Sequence, residues 1–535
     1  MQTLASRGTG LAPLVRWGSV ALLASGLVAR LAPLADQGGR LFRQFPTEDG
    51  YLMLTIARNL ARGLGMSTAD GALPTNGTQP LTTFLWALPF LAVDGDRRSA
   101  LLLVQSAEVL IAIACAYLLY RLAREVFADA ADAQSSALFA SALWFGSPVV
   151  LPHTMNCLES GPYVLTLLLA FLAVVRCARA TAPGSDYASF ALLGLSLGAA
   201  FWARNDAVLL CVSVGLVHLL HGLGAAPRPL RARVFELSLT ALVVLVIAAP
   251  WLLFNLRNFG HLVPISGQAE SLEAHFAENM PALPATLLET VLLFVPVPQR
   301  LEAVPAVIAL SSLLLVIVLQ QLFVSARSAS RLQRSLLVVG GVFALVLAGF
   351  YGLFFGAGWF LSRYFLVLTP LTAMVMAAWV IRARVRFPRF VRTAMPIGIA
   401  LGALVHLRSY AHGSEHQHFQ AVEWVDSNVP RDVWVGAVQS GTLGFFHDRT
   451  INLDGKVNPE ALTARRHDGI PAYVAARPIA YLVDWYDLRE WVNQAEVARR
   501  YEVTVADAAR NLTVFRRVSQ EPAEVSFVVP TATQP

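Results

Sequence analysis

A series of apolar stretches, each roughly 17 to 25 residues long and separated by short arginine clusters, constrains this chain more than any other feature of its sequence. A hydrocarbon core of about 30 Å offers the backbone no water to bond with, so such segments cross it as helices whose N–H and C=O groups are satisfied internally. Of 535 residues, 56% are apolar and only 14% charged. That is too apolar for a string of soluble domains and too regularly patterned for a disordered or collagen-like chain. The expected class is a polytopic α-helical membrane protein, not a β-barrel.

The formal charge of +6 does not indicate nucleic acid, because the basic residues lie in small groups between apolar runs, as the positive-inside rule places them. Of 41 basic residues one is a lysine, Lys456, which leaves the rigid arginine fork as the main anion binder. Lys456 itself reads as surface charge. Cys115, Cys157, Cys177 and Cys211 sit in or beside apolar spans without metal-ligand spacing, so neither a disulfide framework nor a zinc site is implied. At the start, Arg7 and Arg16 precede an apolar run from Trp17, but Arg30 and Asp36 stand where a signal peptide would carry small residues, so a retained first helix is expected.

With Trp17–Leu34 entering from the cytoplasm, residues 35–98 form a first external loop. Within it Tyr51–Leu64 has helical apolar spacing, and Pro80–Ala92 is too short to span and reads as interfacial. Crossings follow at Leu101–Tyr120, on a return ending near Gly146-Ser147-Pro148, and at Leu158–Val175. Residues 187–220 as one helix would measure about 51 Å, so two helices broken at Ala203-Arg204-Asn205-Asp206 fit better. That choice puts the later arginine clusters, such as Arg228/Arg231/Arg233 and Arg382/Arg384/Arg386, on the inside. Spans at Glu236–Leu253, Val304–Val324, Leu336–Phe355, Phe360–Ile381 and Ala394–Leu407, with a second external loop at 255–301, bring the count to about eleven and the C-terminus outside. The membrane domain is assigned to 1–408. A small external α/β domain with β-like runs at Val433–Val438 and Ile479–Val483 occupies 409–525, and 526–535 is a loose tail.

Several motifs occur in a telling order: Thr47-Glu48-Asp49-Gly50-Tyr51, Ala57–Gly63, Pro74-Thr75-Asn76-Gly77, Asn156–Glu159, Ala203–Ala207, Phe259–Gly267, Arg363-Tyr364-Phe365 and Asn452-Leu453-Asp454-Gly455. This set resembles bacterial GT-C membrane glycosyltransferases, a group that includes protein mannosyltransferases, aminoarabinose transferases and mycobacterial arabinofuranosyltransferases. Each motif alone is weak, and the ordered set covers almost the whole chain. Two positions depart from the resemblance: Glu270 stands where a lysine is expected after Ser266-Gly267, and Gln79 where related loops often carry histidine.

The resemblance implies a polyprenyl-phosphate sugar as donor, no nucleotide pocket, no required cofactor and inversion at the anomeric carbon. A base must take the acceptor proton, and the Glu48-Asp49 pair supplies it, Asp49 ahead of Glu48. The plainer reading is that Asp49 caps the helix starting near Tyr51. A divalent cation is compatible with the acidic pair, and its identity is open. Arg204 and Asp206 interrupt apolar spans at a depth where charge is costly, which fits either a donor-phosphate site or a pair that stabilises the helix break. His153, Asn156 and Glu159 are candidates for sugar hydroxyls, with a structural role the commoner fate of such an interfacial histidine. Arg257, Ser266, Arg363 and Tyr364 converge on the same external level, where snorkelling competes with phosphate binding for Arg363. Arg58 either steers the donor or touches headgroups, Asn76 is a further substrate-binding candidate, and Asp454 with Asn452 reads as a turn.

The expected function is transfer of a sugar from the lipid donor to an external glycan, glycolipid or protein acceptor, in the inner membrane with the N-terminus cytoplasmic and the C-terminal domain periplasmic. Two alternatives remain: a transporter or flippase of lipid-linked sugars, and an oligosaccharide transferase or polymerase. The long acidic loop, the appended domain and the lack of repeated halves weigh against transport.

Overall fold

The computed structural model describes residues 12–36, 39–128, 132–179, 187–223, 228–327, 329–356, 358, 361–412 and 418–518; Arg7 and the tail expected at 526–535 lie outside these. Every expected crossing coincides with a helix. In chain order they are α1 (Ala12–Ala35), α2 (Glu48–Ala61) and α3 (Pro80–Ala92) of the first loop, α4 (Arg97–Val126), α5 (Ala133–Phe145), α6 (Val150–His153), α7 (Ser160–Arg179), α8 (Tyr187–Ala203) and α9 (Val208–His221). Then come α10 (Leu230–Phe259), α11 (Ile265–Leu272) and α12 (Leu283–Leu292) of the second loop, α13 (Pro305–Arg327), α14 (Arg331–Leu353), α15 (Leu361–Phe365), α16 (Thr369–Arg386) and α17 (Pro388–His412). Among the described residues, seven helical stretches are long and apolar enough to cross a bilayer, including the one that runs through α15 and α16. The chain is an integral membrane protein.

The break between α8 and α9 falls where the charges are. Arg204 is extended at φ −154°, ψ 133°, and a 3₁₀ turn at Asn205–Ala207 restarts the chain. Small residues let α8 approach α10: a Cβ on Gly194 would lie 2.7 Å from the Thr240 carbonyl oxygen, and one on Gly198 would lie 2.9 Å from Ile247. Elsewhere the apolar surface faces outward. On α13, Leu310, Leu313, Val316 and Leu319 are all exposed, a stripe that water would not tolerate and lipid does. The outward face of α3 is similar, with Phe84, Leu88 and Leu91 exposed, as an interfacial helix requires.

The C-terminal domain carries a five-stranded mixed sheet. Its strands follow the short hairpin β1 (Ser67–Thr68) and β2 (Leu73–Pro74) of the first loop and are β3 (Val435–Ala437), β4 (Thr450–Asn452), β5 (Tyr481–Asp484), β6 (Tyr501–Asp507) and β7 (Leu512–Arg517). The order is β4-β3-β5-β7-β6, with β3 parallel to β4 and β5, and β7 antiparallel to β5 and β6. Helices α18 (Phe419–Asn428) and α19 (Gly441–Phe446) press this domain onto α2. Tyr51 meets Phe445 at 5.0 Å and Phe419 at 6.2 Å between ring centroids. Below them Asp448 accepts from Arg58 Nη1 at 2.8 Å and Arg97 Nη2 at 2.6 Å. Aromatic packing and this charge hub therefore set the C-terminal domain over the first loop.

Candidate active site

The start of α2 is capped by Thr47, whose Oγ1 accepts from the Gly50 N–H at 3.2 Å, so Asp49 is not the cap. Successive helical residues diverge by about 100°, and the acidic pair splits accordingly. Glu48 turns to the C-terminal domain and accepts from the N–H groups of Gly441 and Thr442, the second at 2.9 Å, with its side chain 15% exposed. Asp49 keeps 45% of its side chain exposed and accepts from Arg363 Nη1 at 2.8 Å. Burial would raise the Asp49 carboxyl, but the charges of Arg363 and Lys456 outweigh it and hold the group below the usual carboxylate range. Asp49 is thus an ionised carboxylate with an open face.

Its position depends on one glycine. A Cβ on Gly50 would lie 2.2 Å from the Asn156 carbonyl oxygen, so α2 rests directly on the Asn156-Cys157 turn, where Cys157 has φ +63°. Gly50→Ala is expected to cost about 1–3 kcal/mol through overpacking, read as a lowered melting temperature in detergent. A melting temperature equal to the parent's would show that the turn yields.

Arg363 comes from the five-residue α15. Nη2 donates to the Tyr364 hydroxyl at 3.1 Å, while Nε is buried and has no partner among the described residues. His153 stands beside this helix, its Nε2 3.4 Å from Ser362 Oγ. Burial and the Arg363 charge push the His153 ring down to about 4, so it is neutral near pH 7. Tyr364 stacks on Tyr351 at 4.4 Å.

Arg204 lies behind this layer with its fork consumed. Nη1 donates to Glu159 at 2.8 Å, Nε and Nη2 to Asp206 at 3.1 and 2.9 Å, and Nη2 also to Tyr351 at 3.0 Å. Only 6% of Arg204 is exposed. Its guanidinium sits 4.8 Å from the Tyr364 ring centroid, so it supports the layer that carries Arg363. Of the two readings of Arg204 with Asp206, the geometry favours the pair that stabilises the break, and Glu159 belongs to it.

Other candidates are placed as follows. Asn76 is fully buried, donating to Asn255 Oδ1 at 3.0 Å and accepting from the Ile265 N–H at 3.0 Å, so it ties the two loops together instead of facing a ligand. The Asn156 side chain accepts from the Leu158 N–H at 3.1 Å inside its own turn. Arg58 donates to Asp448 and to the Gly95 carbonyl, at 2.8 and 2.9 Å. Ser266 is half-buried on α11, and Arg257 is exposed at the end of α10.

The C-terminal domain adds groups that sequence reasoning missed. Lys456 is not a surface charge: its Nζ pairs with Glu270 Oε1 at 2.7 Å. Burial opposes its charge, but Asp49, Glu270 and Asp454 outweigh burial and raise the ammonium above its ordinary value. Burial also pushes Asp454 up to about 6. Its expected turn is present, with Oδ1 accepting from the Lys456 N–H at 2.8 Å and Asn452 Oδ1 from the Gly455 N–H at 3.0 Å. His418 stacks on Trp485 at 4.8 Å near Glu48, and burial takes its ring down to about 4. A signal was present in the sequence: the sole lysine follows the Asn452–Gly455 motif, and Glu270 marks the place where a lysine is missing. Among the described residues no three His, Cys, Asp or Glu side chains form a metal-holding group. The acidic pair is engaged by Arg363 and by backbone amides, so a divalent cation finds no assembled donor set there.

A family model described as Domain of unknown function (DUF8728) matches residues 406–526. No curated protein matches the chain by sequence. Among solved structures, ArnT from Cupriavidus metallidurans bound to undecaprenyl phosphate is similar at 13% identity and TM-score 0.59, over 94% of this chain and 98% of that one. The Archaeoglobus fulgidus oligosaccharyltransferase AglB, in complex with an inhibitory peptide and a dolichol-phosphate, is similar at 13% identity and TM-score 0.52, over 90% of this chain and 71% of its own. The same oligosaccharyltransferase in complex with Zn and sulfate gives TM-score 0.54 at 13% identity, over 89% and 69% of the two chains. The likeness to ArnT runs over nearly the whole of both chains, membrane helices and C-terminal sheet together: this protein has the GT-C fold.

Proposed function

We propose that the chain is a membrane glycosyltransferase that moves one sugar from a polyprenyl-phosphate donor to a glycan or glycolipid acceptor on the extracytoplasmic side of the inner membrane, with inversion. One observation carries the reading: Asp49 is an ionised, open carboxylate held by Arg363 at the head of α2. In the transfer, the acceptor hydroxyl oxygen attacks the anomeric carbon while Asp49 takes its proton. The bond from that carbon to the phosphate oxygen breaks, and its electron pair leaves with the polyprenyl phosphate. Arg363 orients Asp49 and keeps it ionised, and its unpartnered Nε is a donor for a phosphoryl or sugar oxygen. The shared fold with a structure bound to undecaprenyl phosphate supports the donor class. In this reading 1–408 is the catalytic domain and 409–525 an extracytoplasmic one.

The test is incubation of the purified protein with a panel of radiolabelled polyprenyl-phosphate sugars and membrane glycan extracts, scoring label moved to the acceptor. No transfer from any donor, together with vectorial movement of lipid-linked sugar in proteoliposomes, would favour a flippase instead.

The pH profile adds a check. A base whose value is depressed by Arg363 and Lys456 stays ionised as pH falls, so transfer should hold its level from neutral pH into the acid range and decline only below the usual carboxylate range. A decline centred near pH 6 would identify Asp454, which burial lifts to about 6, as the limiting group.

A further inference from the structure

Lys456 is the one lysine in the chain, and the fold brings it from the C-terminal domain to the layer that holds Asp49. Its backbone is fixed on several sides. The Asp454 carboxylate accepts its N–H, Arg465 Nη1 holds the Asp454 carbonyl at 3.0 Å, and a Cβ on Gly77 would lie 2.0 Å from the Lys456 carbonyl oxygen. The stem is therefore clamped between the first loop and the C-terminal sheet. The side chain reaches Glu270 on α11, in the second loop, and remains 32% exposed. Glu270 is held in turn, because α11 lies against Gly356, where a Cβ would come 2.4 Å from the Glu270 carbonyl oxygen. Three separate segments converge to place one ammonium.

Of the arginines singled out in the sequence, Arg363 touches the Asp49 carboxylate itself, and Arg204 and Arg58 are committed to carboxylates of their own. His153 and His418 are neutral near pH 7. An ammonium has three donors, and Glu270 is the carboxylate within ion-pair distance of this one among the described residues. A departing phosphate gains negative charge as its bond to the sugar breaks, so a cation beside the base but not spent on it meets that need.

Resting on the transferase reading above, we propose that Lys456 is a phosphate-binding residue of the active site, contributed by the C-terminal domain, and that Glu270 occupies its ammonium until the phosphoryl oxygen of the polyprenyl-phosphate donor displaces it. Glu270 and the phosphate compete for the same cation, and that competition separates the proposal from an ordinary tether between domains.

The experiment measures binding of undecaprenyl phosphate to the purified full chain, alongside melting temperature and transfer kinetics, for the parent, Lys456→Gln, Lys456→Arg and Glu270→Gln. Lys456→Gln is expected to weaken undecaprenyl phosphate binding about tenfold or more, the scale of one charge-assisted hydrogen bond. Lys456→Arg retains most of it, and Glu270→Gln binds at least as tightly as the parent because it frees the cation. If Lys456→Gln and Glu270→Gln both lower the melting temperature and leave binding unchanged, the pair is a structural tether and the proposal falls. If Lys456→Gln spares undecaprenyl phosphate binding and raises only the acceptor KM, the anion belongs to the acceptor and the donor assignment is overturned. A parent that binds no undecaprenyl phosphate overturns the donor class itself, an outcome distinct from a parent that binds it and a Lys456→Gln variant that binds it equally.

Discussion

Asp49→Asn is expected to lower transfer by about 10²-fold or more while leaving folding and donor binding close to the parent, the scale of a lost general base. The structure makes this substitution clean. Thr47, not Asp49, caps α2, so the helix keeps its start. Asparagine matches aspartate in shape and retains an oxygen for Arg363, yet it cannot accept the acceptor's proton. Glu48→Gln is the control, and it acts through a different link. The Glu48 carboxylate accepts from the Gly441 and Thr442 amides, so its loss loosens the C-terminal domain and should appear first in thermal stability. Steady-state transfer and melting curves of the two variants decide the matter. If Asp49→Asn transfers at the parent rate and Glu48→Gln abolishes transfer without destabilisation, the roles of the pair are reversed.

Arg204→Gln is expected to destabilise the protein by about 3–5 kcal/mol, the cost of removing one partner from a buried ion network. Two carboxylates, Asp206 and Glu159, would be left in a setting where their side chains are 11% and 5% exposed. Arg204→Lys keeps the charge but cannot reach both carboxylates and Tyr351 at once, so it should recover only part of the loss. Combining Arg204→Gln with Asp206→Asn removes the stranded charge and should recover more. Detergent-solubilised melting curves test the series. A stable Arg204→Gln that has lost only donor affinity would contradict the structural role and return Arg204 to the phosphate site.

Much of the architecture was legible because its causes are local or periodic. Apolar stretch length, the arginine clusters and the 34-residue span too long for one crossing led to the helices observed, including the break at Ala203–Asp206. The strand runs at Val433–Val438 and Ile479–Val483 are β3 and β5, since β-branched runs between turn signals need no partner to be recognised.

Electrostatic pairing was not legible in the same way. Sequence puts Glu48 and Asp49 side by side as equals, and Arg58, Arg204 and Arg363 as equivalent cations. Tertiary packing separates them: the C-terminal domain spends Glu48 on Gly441 and Thr442 and Arg58 on Asp448, some 390 residues further along the chain, while Glu159, Asp206 and Tyr351 consume Arg204 and Asp49 takes Arg363. Lys456 shows the same limit from the other side, a residue that reads as surface charge until the fold sets it on Glu270. The helices and their breaks were determined by the sequence alone, because solvation and hydrogen bonding act on each segment as it stands. Which charges remain available for chemistry was decided by tertiary structure, because a charge is available only when no distant partner has neutralised it.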